Sequence, residues 1–533
     1  MSADKMQKID LEAKDFSSAD RERVEIRNPR MKNLYSYFSE VVKSAYRDPF
    51  LLSNAVFAKC DLSLSALDDY LEGKGVQNVS FLFSAKKLLR YLAKSFGWLV
   101  IYWVQGLVHK FSRQKFVPDP AKPLTLIDIY LNPEQIAQRG DLTDRFFPGL
   151  ENRLRAKDTS YAYAPKFMGT DHPAVYYQAF RLLKEKKRPV LSGFQLLGLC
   201  DYFKMLTFIP VYPFRVLRQI RQLGESPEDR LFRFFLWDTM DHTAVKNYAR
   251  QLFGKRISTM NVPDIKCISW YENQAQDKTF YKGLRYTPEK VKIYGAQLYL
   301  WPATLLNLHA DATEFGFGLI PDRILVNGSY YLPEEGELNF KIGPSMRYSR
   351  LFQTNINAKD KTALLVLLPF FEYEIEEMLN MIEEADLSVE ILVKFHPATD
   401  KKKYGQRLEG KMQMVEDDIY VLFDRVACVL GKSTGALVEA TSLGIPVVNI
   451  ETGCGMSHDY LPEFGRGILW QNASNGKEIL QWVNIFSEML QTKPGLIQAI
   501  AEKHKDMFFC EPTSEKIDVA FELGEPDKKF SNH

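Results

Sequence analysis

No two of the six cysteines (Cys60, Cys200, Cys267, Cys428, Cys454, Cys510) form a CxxC pair, and none joins a histidine cluster. That argues against a zinc centre or a disulfide framework, and free thiols fit a reducing compartment. No uninterrupted apolar stretch approaches the ~20 residues that a spanning helix needs. Neither charge sign dominates: 69 Lys and Arg stand against 67 Asp and Glu. There is therefore no global field to draw nucleic acid to the chain. Internal repeats and low-complexity blocks are missing too. The opening segment, MSADKMQKIDLEAKDF, is charged and lacks the apolar core of a signal peptide, so the expected location is cytoplasmic. No DxD motif ends a strand, and an obligatory metal is not expected.

One absence is local. Between Gln77 and Pro118 there is no acidic residue, while Lys86, Lys87, Arg90 and Lys94 precede the aromatic-rich run Phe96–Val108 and Lys110, Arg113 and Lys115 follow it. Trp98, Tyr102 and Trp103 in a basic surround suit an interfacial helix on anionic lipid; a core helix with solvated basic ends fits equally well. A span extended to Leu88–Phe111 would have to bury Arg90 and Lys94. Residues 86–115 are thus a candidate contact with the inner membrane surface.

What the chain does have is length for two domains and an ordinary balance of 46% hydrophobic and 26% charged residues. The pattern predicts an α/β protein. A helical accessory segment, 1–117, precedes a first α/β domain, 118–335, with strands at Leu124–Leu131, Tyr161–Phe167, Ile265–Gln274, Val291–Tyr299 and Asp322–Gly328. Pro210 and Pro213 are expected to break helices in the apolar stretch Arg188–Ile220. The Gly- and Pro-bearing stretch Pro333–Ser345 reads as a hinge. A second domain, 345–510, opens with strand Ala363–Pro369 and an acidic helix, Glu372–Ala385, and a tail, 511–533, follows.

The densest signal lies in Val389–Glu451. VEILVKFHPATD places Lys394 and His396 at the C-terminal end of a strand, the edge where open parallel sheets bind ligands. CVLGKSTGALVEATSLGIPVVNIE then reads as a strand (Ala427–Leu430), a tight turn and a helix from about Ser433 to Leu443. Gly444 and Pro446 end that helix before strand Val447–Ile450. Ser433 and Thr434 fall where unpaired backbone N–H groups and the helix dipole favour an anion. Either hydroxyl is also an ordinary N-cap, and Lys394 an ordinary edge charge. Together the two signals suggest a nucleotide-phosphate pocket.

Two further clusters offer carboxylates. WYENQAQDKTFYKGLR puts Glu272 and Asn273 directly after an apolar strand, with Asp277, Lys278 and Arg285 following. LTDRFFPGLENRL sets Asp144 and Arg145 beside aromatic residues. Glu272 could instead cap a helix, and Asp144–Arg145 could form a structural ion pair.

The Lys-x-His-Pro strand end, the later Ser-Thr-Gly helix start and Glu439 beyond it resemble the donor half of bacterial GT-B glycosyltransferases that use CMP-activated acidic sugars, such as sialic acid and Kdo transferases. The ordered blocks DRFFPGL, YENQ…KGLR, VKIYGAQ, PDRILVNG, KFHP and STGALVEA are similar to bacterial O-antigen and capsule biosynthesis glycosyltransferases, over roughly Leu124 to Trp470. One block departs: Gln297-Leu298 stands where relatives often read Gln-His, and His309 lies further on. The resemblance implies two Rossmann-like domains facing a cleft. It implies a nucleotide-phosphate site made by Lys394, His396, Pro397, Ser433, Thr434, Gly435 and Glu439. It favours Glu272 as the catalytic carboxylate, with Asp144 second, as a base if the reaction inverts or a nucleophile if it retains. Arg145, Asn273, Lys278 and Arg285 become substrate contacts, Arg285 and Lys278 suited to an acidic sugar's carboxylate. No cofactor is implied beyond a nucleotide-sugar co-substrate, and the acceptor would be a glycan or lipid-linked oligosaccharide at the inner face of the cytoplasmic membrane. CDP-polyol phosphotransfer, UDP-sugar transfer or epimerisation, and a GT-B-like scaffold remain the alternatives.

Overall fold

The computed structural model describes residues 17–45, 65–74, 76, 81–334, 336–356, 361–370, 372–396, 399–408, 412–452 and 458–524. Cys60, Cys454 and Pro397 lie outside them, as does part of the glycine-bearing segment after Glu451.

Among the described residues, two six-stranded sheets organise the fold, and every pairing in both is parallel. The first contains β1 (Leu124–Asp128), β3 (Tyr161–Tyr163), β5 (Ile265–Trp270), β6 (Val291–Gln297), β7 (Arg323–Val326) and β8 (Phe340–Ile342), in the order β3-β1-β5-β6-β7-β8. A two-stranded ribbon, β2 (Tyr130–Leu131) with β4 (Lys166–Phe167), stands beside it. The second contains β9 (Ala363–Leu367), β10 (Ile391–Lys394), β11 (Met412–Met414), β12 (Val426–Gly431), β13 (Val447–Ile450) and β14 (Trp470–Ala473), in the order β11-β10-β9-β12-β13-β14. Strands such as ALLVL and VVNI are buried throughout, as parallel strands covered on both faces must be. These are two Rossmann-like α/β units, the GT-B type of architecture.

Several expectations need correcting. Leu124–Leu131 is two strands, because Tyr130–Leu131 leaves the sheet to pair with Lys166–Phe167. The expected hinge Pro333–Ser345 contains β8, which closes the edge of the first sheet beyond residue 335. The tail is not separate either: helix Ser514–Phe521 returns to the first unit, where Arg153 donates to Asp518 (2.6 Å) and Lys266 to the carbonyl of Phe521 (2.9 Å).

Pro210 and Pro213 do not break a helix; they lie inside Leu199–Ile220. A proline at 213 removes the N–H that would bond the carbonyl of Ile209. The Tyr91 hydroxyl takes that place, donating to Ile209 O at 3.0 Å in a buried setting. Burial of Met205, Phe208, Ile209, Tyr212 and Val216 along one face holds the helix across the gap.

The N-terminal segment ties the two units together. Helix Pro29–Ala45 packs on the first unit through Tyr37, which donates to Asp229 (2.6 Å). Ahead of it, Glu22 accepts from the backbone N–H of Phe464 (3.0 Å) in the second unit, and Val24 N donates to Tyr330 O (2.9 Å) in the first.

Candidate functional site

In an open parallel sheet, ligands bind beyond the strand C-termini where neighbouring strands send their connections to opposite sides. The first sheet has this point between β1 and β5, and the second between β9 and β12. Asp128 ends β1 and Tyr271-Glu272-Asn273 follow β5 at the first. Leu368–Phe370 and Lys432-Ser433-Thr434 follow β9 and β12 at the second. Each point also carries a non-glycine residue in the left-handed region, Asn273 (φ 52°) and Ser433 (φ 53°). Such backbone costs about 1 kcal/mol or more and concentrates at functional sites.

Glu272 is partly exposed within an aromatic collar. Its carboxylate accepts from the Trp270 indole N–H (3.0 Å), the Gln274 amide (2.9 Å) and the Tyr130 hydroxyl (3.3 Å). Burial, then the neighbouring charge of Asp277, pushes its pKa above the ordinary carboxylate range. A positioned carboxylate with raised pKa is what proton abstraction near neutral pH requires.

Beneath it lies a buried charge network in which Arg250 alone among the charged groups keeps some exposure. Lys166 Nζ sits 2.5 Å from Asp277 and 3.3 Å from Asp128 and donates to Trp270 O (2.7 Å). Arg250 pairs with Asp128, and Ser269 donates to the same carboxylate (2.7 Å). Asp277 in turn accepts the backbone N–H groups of Glu272 and Gln274 (3.1 Å each), which fixes the turn carrying Glu272.

Three expected substrate contacts are structural instead. Lys278 is fully buried and paired with the equally buried Glu314 (2.6 Å), so no substrate can reach it. Arg285 is held by Asp322 and the carbonyl of Ile320 (2.8 Å each). Asn273 is buried and donates to Asn307 O (2.7 Å), fastening the loop after β6.

Asp144 is also a turn former. One carboxylate oxygen accepts the N–H groups of Phe146 and Phe147 (2.8 and 2.9 Å), and burial raises its pKa. Arg145 beside it is exposed and lines a cavity of about 190 Å³ together with Tyr130, Asn132, Arg139, Asp141 and Phe146. Arg188 neutralises Asp141 (2.8 Å), and among the described residues neither Arg139 nor Arg145 has an ion-pair partner. Partial desolvation and the like charges of Arg139 and Arg347 lower the Arg145 pKa. Arg139 and Arg347 were missed in the sequence because they sit in separate segments with no motif around them. Tyr130, which lines the cavity, is the residue that also bonds Glu272.

Across the cleft, the loop after β6 meets the turn after β12. Thr304 Oγ1 lies 2.7 Å from His458 Nδ1, and His458 N donates to Ser433 Oγ (3.3 Å). A Cβ on Gly435 would stand 3.0 Å from Leu300 Cβ, so the residue there must be small. The helix expected over Ser433–Leu443 is Ala436–Ser442, with Thr434 Oγ1 accepting from Ala436 N (3.4 Å). His396 is exposed at the end of β10, its ring 5.4 Å from that of Phe370. Lys394 differs from expectation: its ammonium donates to Asp417 O (2.6 Å) beyond the outer strand β11, away from the β9–β12 point. Lys432 is buried against Glu374 (2.7 Å). Leu298 is core, and His309 bonds the carbonyl of Ala303 (2.9 Å) within its own loop. No cluster of His, Cys, Asp and Glu fit to hold a metal occurs among the described residues.

Glu439, on helix Ala436–Ser442, accepts from the Tyr420 hydroxyl (2.6 Å) with Arg347 nearby. Burial raises its pKa from 4.5 to about 6. The folded pKa exceeds the unfolded one, so the charged form carries a penalty that grows as pH rises from 4.5 to 6 and is complete above it. Glu439→Gln keeps an acceptor for Tyr420 and should stabilise the fold by up to about 2 kcal/mol at pH 7.5. The gain should vanish near pH 4 in urea titrations. An equal midpoint at pH 7.5 would refute the assignment.

No protein-family model matches the chain, and a search of curated proteins finds no match either. Solved structures similar to it include MurG of Acinetobacter baumannii (11% identity over 75% of this chain and 99% of that one, TM-score 0.38). The UDP-GlcNAc 2-epimerase of Methanocaldococcus jannaschii is 13% identical over 75% of this chain and 100% of that one, with a TM-score of 0.42. The lipopolysaccharide outer core galactosyltransferase WaaB is 9% identical over 75% and 99%, with a TM-score of 0.37. At such identities the likeness says nothing of which reaction this chain performs.

Proposed function

We propose that the chain is a nucleotide-sugar-dependent glycosyltransferase of bacterial surface polysaccharide synthesis. It would transfer an acidic sugar from a CMP-activated donor to a glycan or lipid-linked acceptor at the inner face of the cytoplasmic membrane. The observation that carries this is the opposition of two sheet switch points across one cleft. One presents Glu272, held by three donors with its pKa raised, and the other presents the Ser433-Thr434-Gly435 turn.

In this reading the nucleotide lies over the β9–β12 point against Ser433, Thr434, His396 and Glu439. The acceptor lies over the first sheet, where Glu272 removes its proton. Arg139 and Arg145, which line the cavity beside Tyr130 without an ion-pair partner among the described residues, would receive an acidic group of the transferred sugar or acceptor, with Arg347 close to Arg145.

Thermal stability against CMP, CDP, UDP and GDP tests the donor, repeated with His396→Ala. A nucleotide at ~100 times its Kd stabilises the fold by about 2.7 kcal/mol. Stabilisation by CMP that the variant loses is the expected result. Preference for CDP moves the reading to polyol-phosphate transfer, and preference for UDP to a UDP-sugar transferase or epimerase. No shift with any nucleotide leaves a scaffold.

A further inference from the structure

We propose that helices Phe81–Ser112 and Leu199–Ile220 together form a plate that docks this protein on an anionic lipid surface. The first helix carries large apolar side chains on the face turned away from the core. Its inner face buries Ser95, Gln105, His109 and Ser112, whereas Leu89 (68% exposed), Val100 and Trp103 face outward. Trp98 and Tyr102, which by sequence suited a lipid interface, belong to the inner face: Trp98 is 6% exposed and stacks on Tyr102 at 4.8 Å.

The second helix repeats the pattern. It buries Phe208, Tyr212 and Val216 and leaves Leu199, Phe203 and Phe214 (72% exposed) outside. The two pack side by side and antiparallel, Tyr91 against Ile209 and Tyr212, and Gly106 against Tyr202. Their outward sides therefore extend one another. Adjoining exposed apolar side chains of this kind mark an interaction site.

Charge identifies the occupant. The first helix has no acidic residue, and the only one on the second, Asp201, is buried and paired with Arg256 (2.8 Å). Lys86, Arg90, Lys94 and Lys110 on the first helix, with Arg218 on the second, border the apolar residues, and the segment runs on into exposed Arg113. Exposed apolar side chains that these two helices rim with cations suit acyl chains under anionic headgroups, with basic stems reaching up to the phosphates. No helix among the described residues is long and apolar enough to cross a membrane, so the contact would be in-plane. The plate extends the lipid-linked acceptor reading above, but binding to lipid is measured without any nucleotide, so either can fail alone.

The test is co-sedimentation of the full chain with phosphatidylcholine vesicles, with and without phosphatidylglycerol, for the wild type, Leu89→Glu and Phe214→Glu. Both positions are exposed, and unchanged melting temperatures would confirm that both variants fold. The expected result is binding to the anionic vesicles only, weakened at least tenfold by either substitution. Absent wild-type binding overturns the proposal, as does binding that salt abolishes but neither substitution affects. Retention by Phe214→Glu alone would confine the contact to one helix and overturn the two-helix plate. A vesicle-independent dimer that both substitutions dissolve would assign the surface to a second copy of the chain and overturn it too.

Discussion

Glu272→Gln should lower turnover by about 10²–10⁴-fold with the nucleotide sugar that the stability panel selects, the range that loss of a general base produces. The substitution is nearly isosteric. The new amide oxygen still accepts from the Trp270 indole, and the Gln274 amide can turn to meet the new N–H group, so melting temperature should hold. Nucleotide affinity should hold as well, because the proposed nucleotide site is on the other sheet. Asp144→Asn is the internal control. Asp144 uses one oxygen to cap the turn at Phe146 and Phe147, which asparagine does equally well, and activity should stay within a few-fold of wild type. Wild-type turnover in Glu272→Gln would remove the carboxylate from the mechanism. Loss of both turnover and nucleotide binding would mean that the variant disturbs the cleft as a whole. If Glu272 acts as a base, kcat should fall on the acid side at a pH above the usual carboxylate range, as its raised pKa requires.

The strands bearing Glu272 and Ser433 were readable because burial on both faces leaves short apolar runs ended by turn residues. β13 was expected at Val447–Ile450 and lies there. The sheet order was not readable, since local sequence records burial and not which strand lies alongside. The roles of Lys278 and Arg285 failed for the same reason. Spacing placed them on a helix, but Glu314 and Asp322, which neutralise them, stand 36 and 37 residues further along. Arg139 and Arg347 became site candidates only when the fold brought them near Arg145. Pro213 misled through a true local rule. It removes a helix hydrogen bond, but the compensating donor, Tyr91, is 118 residues from the carbonyl it serves. What one segment does to itself was legible, and what a distant segment supplies was not.

Distant partners also set the acid stability of the protein, because the second unit closes over a neutral histidine. His504 has no solvent exposure; its Nε2 lies 2.9 Å from Phe464 O and its Nδ1 2.9 Å from Thr441 Oγ1. The carbonyl can only accept, so Nε2 carries the proton and Nδ1 accepts from the hydroxyl. Burial lowers the pKa from 6.5 to about 4. Above pH 6.5 neither folded nor unfolded chain holds the second proton, and His504 makes stability independent of pH. Between 6.5 and 4 only the unfolded chain takes it up, so stability falls as pH falls, by about 3 kcal/mol in total. His309 and His458, also lowered to about 4 but partly exposed, add smaller losses of the same sign. Glu439 opposes them, since its penalty is relieved on protonation. The difference between wild type and His504→Gln in urea titrations isolates the one group. Whatever the substitution costs at pH 7.5, the advantage of the wild type should shrink by about 3 kcal/mol on going to pH 4. A difference that stays constant across that range would mean that His504 ionises in the fold as readily as in the unfolded chain. The closed packing of Phe464 and Thr441 around it would then be wrong.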